Sequence, residues 1–241
     1  MTVIIDQAPD PDTLADRAAD WLVAGLAGRS GALAVCLSGG STPKRLYERL
    51  ARDPWRSALP YHRIHWFWGD ERCVPVGDPR RNETMVRAAL LEHVPVPSEN
   101  IHSVPVTASP EESALAYEGM LKAFYGAEGL SDERPLFDIM LLGLGSDGHT
   151  ASLFPGKPAL AESWRWTAAS EAGLEPFVPR VTLTYPALAS SRHTAFLAAG
   201  ADKTAMLKRV LAGDNLPAAH LRSAGPIHWF LDSAAMGDTR S

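Results

Sequence analysis

Five short apolar runs limit what this chain can fold into. ALAVCL (32–37), IHWFWG (64–69), FDIMLLG (137–143), TAFLAAG (194–200) and PIHWFLD (226–232) are each too short for a buried helix and carry few polar breaks. Runs of that kind suit strands covered on both faces, the condition of a parallel sheet. Helical patterns lie between them. Asp10 and Pro11 supply a cap and a first-turn proline, and Leu14, Ala18, Trp21, Leu22 and Leu26 follow at helical spacing. Thr42 and Pro43 open a second helix with Leu46 and Leu50, and NETMVRAALLEHV reads as another, capped by Asn82. SPEESALAYEGMLKAFYG has Ser109 as cap and Glu112 closing a capping box, and DKTAMLKRVLAG follows the fourth apolar run. Strand and helix alternate from end to end, which predicts an α/β fold with a mainly parallel sheet sandwiched between helices. Shorter strands are expected at residues 3–5 and in RWTAA and RVTLTY, whereas Pro105 interrupts IHSVPV.

At 241 residues the chain can bury a core without staples, and residues 1–241 are expected to form a single domain with a loose tail from about 235 to 241. The net charge of -5 argues against a nucleic-acid footprint or a polybasic membrane patch, and no apolar run approaches the ~20 residues that span a bilayer. An anionic ligand would have to be held by local positive groups. The two cysteines, Cys36 and Cys73, fit no CxxC or zinc-knuckle spacing; Cys36 reads as a small buried hydrophobe in a reducing, cytoplasmic compartment. Residues 1–20 lack the basic and apolar regions of a signal peptide.

In parallel sheets ligands bind beyond the carboxyl ends of the strands. Leu37 is followed by Ser38, Gly39, Gly40, Ser41 and Thr42; Trp68 by Gly69, Asp70, Glu71 and Arg72; Leu142 by a loop carrying Asp147 and His149; and Ala199 by Gly200, Asp202 and Lys203. Glycines, hydroxyls, acids, a histidine and cations thus collect on one rim. SGGST joins a strand to a helix start, so its backbone can approach an anion at which free helix N–H groups point, although the same glycines would serve a plain tight turn. A phosphate monoester, with about -1.5 to -2 charge, fits such a place. The P-loop spacing is missing. Arg72 can fork onto a phosphate or carboxylate, and Asp70 can bond sugar hydroxyls or take a proton, against the plainer reading of a solvated loop. Arg180, at the head of RVTLTY, and Lys203, at a helix start, are further candidate cations or simple surface charges. Asn82 reads first as a helix cap and second as a ligand contact.

GLGSDGHTASLFPG (143–156) contains G-x-G-x-x-G, the spacing of a dinucleotide-binding turn. That turn needs a helix after the third glycine, and HTASLFPGKP allows at most one turn before Pro155 and Pro158, so no nicotinamide cofactor is expected. Proton transfer fits better. Of eight histidines, His149 is the one in a glycine-flanked loop at a strand end, and an unperturbed imidazole, titrating near ~6.5, offers a base at cellular pH. Asp147 can orient or charge-tune that ring. No G-x-S-x-G elbow, H-E-x-x-H or H-x-x-x-H motif occurs, so neither a serine hydrolase nor a metal site is expected.

LSGGSTPKRLYERL, WFWGDERCVPVGDPRRNE, FDIMLLGLGSDGHTASLFPG, RVTLTYPAL and AAGADKTAMLKRVL, in this order, resemble the 6-phosphogluconolactonase family. The resemblance implies a three-layer α/β/α sandwich around a Rossmann-like, mainly parallel sheet, shared with glucosamine-6-phosphate deaminase and ribose-5-phosphate isomerase. It implies a cytoplasmic enzyme of the oxidative pentose phosphate pathway that hydrolyses 6-phospho-D-glucono-1,5-lactone to 6-phosphogluconate, with no cofactor and no metal. The expected partner is that small phosphorylated lactone, with no nucleic acid and no membrane, and a monomer is expected. On this likeness His149 is the general base with Asp147 and Asp70 near it. Gly39, Gly40, Ser41, Thr42, Arg72, Arg180 and Lys203 contact phosphate and sugar, with Asn82 beside them. The deaminase relatives carry an Asn–Glu pair where this chain has Leu153 and Phe154, and phenylalanine cannot shuttle the proton that opening an amino-sugar ring requires. A non-catalytic sugar-phosphate sensor is the alternative from another class; it would keep the phosphate loop and have no use for the base.

Overall fold

The structure, a computed structural model, describes residues 2–237. Its strands are β1 (Val3–Ala8), β2 (Leu33–Leu37), β3 (Ile64–Trp68), β4 (Asp70–Arg72), β5 (Phe137–Gly143), β6 (Thr167–Ser170), β7 (Arg180–Leu183), β8 (Ser191–Ala198) and β9 (Ile227–Asp232). Its α-helices are α1 (Pro11–Leu26), α2 (Ser41–Leu50), α3 (Trp55–Ala58), α4 (Asn82–Val86), α5 (Pro110–Tyr125), α6 (Tyr185–Ala189), α7 (Thr204–Leu211), α8 (Pro217–His220) and α9 (Ser233–Met236). Six strands form one sheet in the order β1-β9-β8-β5-β2-β3, and every pairing in it is parallel. All of β2 and Phe137 to Leu142 of β5 are buried, so both faces of the sheet's centre are covered by other layers. This is the expected α/β architecture of a parallel sheet flanked by helices.

The helices start and stop where the side chains dictate. The Asp10 carboxylate accepts from the Thr13 N–H at 2.8 Å, and α1 then buries Leu14, Ala18, Leu22 and Leu26, one stripe of a 3.6-residue repeat. The Ser109 hydroxyl accepts from the Glu112 N–H at 3.1 Å, and Gly126 ends α5 in the left-handed conformation. Two buried tyrosines pin strand ends. Tyr47 of α2 accepts from the Ser38 N–H and donates to the Ser38 carbonyl at 2.9 and 2.7 Å, and Tyr117 of α5 does the same to Trp68, both at 2.9 Å.

Several expectations need correction. RWTAA and RVTLTY do form strands, but not in the main sheet. β7 pairs antiparallel with β6 on one side and with β4 on the other, giving a separate sheet in the order β4-β7-β6. No helix lies between β6 and β7 to carry the chain across a parallel sheet, so they return on themselves. Asn82 is not a cap: it is the first residue of α4, whose N-cap is Arg81 with no capping side chain of its own. Glu71 takes that duty instead, its carboxylate accepting from the Asn82 and Glu83 N–H groups at 2.8 Å each. The tail expected to be loose from about 235 enters α9, where the Asp232 carboxylate accepts from the Ala235 N–H at 2.7 Å and Ala235 is buried. Positions 238–241 lie outside the described residues.

The sheet order locates the crevice. From β2 the chain moves outward to β3, and from β5 it moves the other way to β8, so the winding reverses between β2 and β5. Loops leaving two such strands part from one another and open a gap at their carboxyl ends. The loops in question are Ser38–Gly39–Gly40 and the turn carrying His149.

Candidate active site

A cavity of about 200 Å³ occupies that gap. Ser38, Gly39, Gly40, Ser41 and Thr42 line it from β2 and α2, Asp70 and Arg72 from β4, and Asn82 from α4. His149 lines it from the turn after β5, Arg180 from β7 and Lys203 from the turn before α7. Every expected site residue except Asp147 is therefore on its wall. Against one carboxylate, Asp70, stand three permanent cations, Arg72, Arg180 and Lys203, in a chain whose net charge is -5. The cavity is thus a local positive well, suited to a small anion carrying about two charges.

The anion-facing wall is built from backbone and guanidinium groups. α2 begins beyond Gly40 with no side chain capping its first turn, leaving N–H groups of Ser41 and Thr42 outside the helical ladder. Gly39 passes so close to the Asn82 amide that a Cβ there would collide with it. Asn82 donates to the Asp70 carbonyl at 2.9 Å, which ties α4 to β4 beside this loop. Arg180 is nearly buried, donates to the Leu174 and Pro176 carbonyls at 3.2 Å each, and stands 4.0 Å from Asp70. Burial draws its guanidinium below its ordinary pKa; Asp70 opposes that pull and the charge of Arg72 adds to it. Arg72 donates to the Arg80 carbonyl. Each of the two guanidiniums retains a buried Nε–H with no partner. Lys203 Nζ lies 3.4 Å from the exposed carboxylate of Asp202.

The imidazole is held by its own turn. Nδ1 of His149 lies 2.5 Å from Oδ1 of Asp147, which also accepts the His149 backbone N–H at 3.1 Å. A carboxylate can only accept, so Nδ1 carries the proton and Nε2 is the nitrogen left with a lone pair in the neutral ring. Burial raises the Asp147 pKa, but the hydrogen bond and charge of His149 outweigh it and hold the carboxyl below its ordinary value. Gly145 makes this geometry possible, since a Cβ there would run into the imidazole. No helix follows the third glycine: residues 146–153 form turns and an isolated bridge, so the dinucleotide-like spacing serves the histidine turn.

Asp147, not Asp70, is thus the carboxylate bonded to His149. Asp70 accepts from the buried Ser152 hydroxyl at 2.6 Å and from the Asn82 amide at 3.4 Å, and faces Arg180. Ser152, Glu71 and Tyr47 were missed as supports. The signal for Glu71 was an acid ahead of a helix start; Ser152 and Tyr47 act over tertiary distances that no local pattern marks. Cys36 is buried as expected, and Cys73 is half-buried, its thiol pushed up to about 11 chiefly by burial. Among the described residues no three His, Cys, Asp or Glu side chains gather as a metal-holding group.

A cation-rich crevice at a winding reversal, with an imidazole oriented by a carboxylate, has the groups to hold a small anion and to move a proton beside it. Residues 9–229 match the family described as glucosamine-6-phosphate isomerases/6-phosphogluconolactonase. A 6-phosphogluconolactonase of Synechocystis is 44% identical over 206 residues, 83% of this chain and 82% of its own. One of Nostoc is 39% identical over 98% of both chains. Among solved structures, 6-phosphogluconolactonase from Trypanosoma cruzi has a TM-score of 0.86 at 30% identity, covering 100% of this chain and 97% of that one. A monomeric glucosamine-6-phosphate deaminase, at 19% identity and a TM-score of 0.80 over 98% of this chain and 100% of its own, shares the fold. The chain belongs to the glucosamine-6-phosphate isomerase/6-phosphogluconolactonase family.

Proposed function

We propose that the protein hydrolyses 6-phospho-D-glucono-1,5-lactone to 6-phosphogluconate, a step of the oxidative pentose phosphate pathway. The observation that carries this reading is His149, held by Asp147 behind it, on the wall of a cavity with a three-to-one excess of permanent cations. The lactonase relatives support the substrate. The phosphate takes the N–H groups at the start of α2 together with Arg72, Arg180 and Lys203, which brings the ring ester towards His149. Nε2 of His149 removes a proton from water as the water oxygen bonds to the carbonyl carbon, giving a tetrahedral oxyanion and an imidazolium held by Asp147. The oxyanion collapses, the bond from carbon to ring oxygen breaks, and Nε2–H returns the proton to that oxygen. The product is an open carboxylic acid with a new hydroxyl. Asp70 keeps Arg180 aligned and does not touch the base.

The buried Phe154, at 1% exposure, favours this reaction over deamination, because it puts a ring with no exchangeable proton where the amino-sugar reaction needs an acid. The reading includes a cytoplasmic monomer that needs no metal. No helix among the described residues is long and apolar enough to cross a membrane. Hydrolysis of freshly made lactone, followed with and without a chelator, tests it. His149→Ala should lower kcat by roughly 100- to 10,000-fold with KM little changed, the usual worth of a positioned base. Near-full activity in that variant would overturn the assignment of His149, and loss of activity in chelator would overturn the metal-free reaction.

A further inference from the structure

Leu153 and Phe154 follow directly from the histidine turn, yet the reaction as proposed gives Phe154 only the negative task of not being an acid. Its surroundings point further. The ring is buried, its centroid is 4.3 Å from that of the His149 imidazole at an interplanar angle of 38°, and the Arg180 guanidinium carbon stands over it at 5.2 Å. The segment opposite is shaped to hold it there. A Cβ on Gly173 would come within 2.7 Å of Phe154 Cδ1, and the carbonyls of Leu174 and Pro176, just beyond, accept from Arg180. One aromatic ring therefore lies against both the cation that grips the substrate and the ring that becomes a cation when it takes water's proton.

We infer that Phe154 is a positioning residue for the hydrolysis, whose π system braces the Arg180 guanidinium and favours the imidazolium that forms on His149. The inference rests on the reading of His149 as the base. The electron-rich face of a phenyl ring attracts a cation within about 6 Å of its centroid. Neutral imidazole gains less from that face, so the contact strengthens as the proton arrives, as catalysis requires. The charged and titratable groups that share this place with His149 are Asp147 from its own turn, Asp70 and Arg72 of β4, Arg180 of β7 and Lys203 before α7. Of these Asp147 and Asp70 favour the imidazolium and the three cations oppose it. The ring adds to the first side without adding a charge that would repel the substrate phosphate.

The test replaces Phe154 with 4-fluoro-, 3,5-difluoro- and pentafluorophenylalanine, which keep the shape and burial of the ring while draining its π face, and adds Phe154→Leu. Two readouts are taken on each protein: the acid limb of kcat/KM against pH, and the NMR titration of the His149 ring in the free protein. Both should move to lower pH stepwise with fluorination, by roughly 0.4 to 1.5 pH units at the end of the series, and kcat should fall by roughly 2- to 30-fold. Titration and kcat that stay put across the series overturn the inference, since the ring would then be core filling whose loss only lowers the melting temperature. The fluorinated series keeps this decisive if Phe154→Leu does not fold. If the wild-type acid limb survives His149→Ala, the reading of His149 fails and takes the inference with it; a limb that vanishes with His149 but ignores fluorination overturns Phe154 alone.

Discussion

Replacing Asp147 by asparagine removes one charge and almost no volume. Asp147 is off the cavity wall, so substrate binding should be spared. Its carboxylate bonds Nδ1 at 2.5 Å and stays ionised at working pH, being held below its ordinary range despite burial. A hydrogen bond to a charged group is worth roughly 1.5–3 kcal/mol. At about 1.36 kcal/mol per tenfold, Asp147→Asn should lower kcat by roughly 10- to 150-fold with KM within about twofold. Two routes lead to that loss. If the amide oxygen faces the ring, the geometry survives but the imidazolium loses its countercharge. If the NH₂ faces it, the proton must move to Nε2 and the base is blocked. In the first case the acid limb of the rate profile also moves to lower pH, because the protonated ring is less favoured. The assay is initial-rate hydrolysis of fresh 6-phosphogluconolactone from about pH 5 to about pH 8. A kcat within twofold of wild type and an unmoved profile would refute the orienting role of Asp147.

Arg180→Lys keeps the charge but loses the planar guanidinium that donates to the Leu174 and Pro176 carbonyls and is proposed to hold the phosphate; KM should rise about tenfold with a smaller change in kcat, and an unchanged KM would remove Arg180 from phosphate binding. The half-buried His65 and His102 rings meet at 2.9 Å, and burial, reinforced by His65, pulls His102 down to about 4. An unfolded histidine titrates near ~6.5, so between the two values the unfolded chain binds more protons, and stability should fall as pH drops from about 6.5 to about 4. Urea midpoints across that range should show the slope in wild type and a shallower one in His102→Phe; equal slopes would contradict it. Ser109→Ala removes the α5 cap and should cost about 1 kcal/mol in urea unfolding with kinetics unchanged.

The parts that could be read from sequence are those whose causes are local. β2 and β5 are apolar runs buried on both faces, and the caps of α1 and α5 lie within three residues of the N–H groups they serve. Asp147 and His149 are two residues apart, so their contact is a property of one turn. The rest depends on what another segment brings. Asp70–Glu71–Arg72 has no strand pattern and becomes β4 only because β7 supplies its ladder. The cap of α4 comes from Glu71, eleven positions before Asn82, and the hydroxyl on Asp70 from Ser152, 82 positions away. Asp70 stays a rival partner for His149 on spacing alone, because what it bonds is set by Ser152 and Asn82 from other segments.

In the small sheet Arg72 and Arg180 are direct cross-strand partners. Their separation is therefore a rung of a ladder and not a loop conformation, and like charges on facing rungs repel. Asp70 offsets part of that repulsion, and the phosphate of the proposed substrate, set between the two guanidiniums, would offset more. The two ends are not equivalent: a neutral residue in place of Arg72 would relieve the repulsion and, on the proposed function, weaken the hold on phosphate, whereas one in place of Arg180 would leave the buried Asp70 without its countercharge.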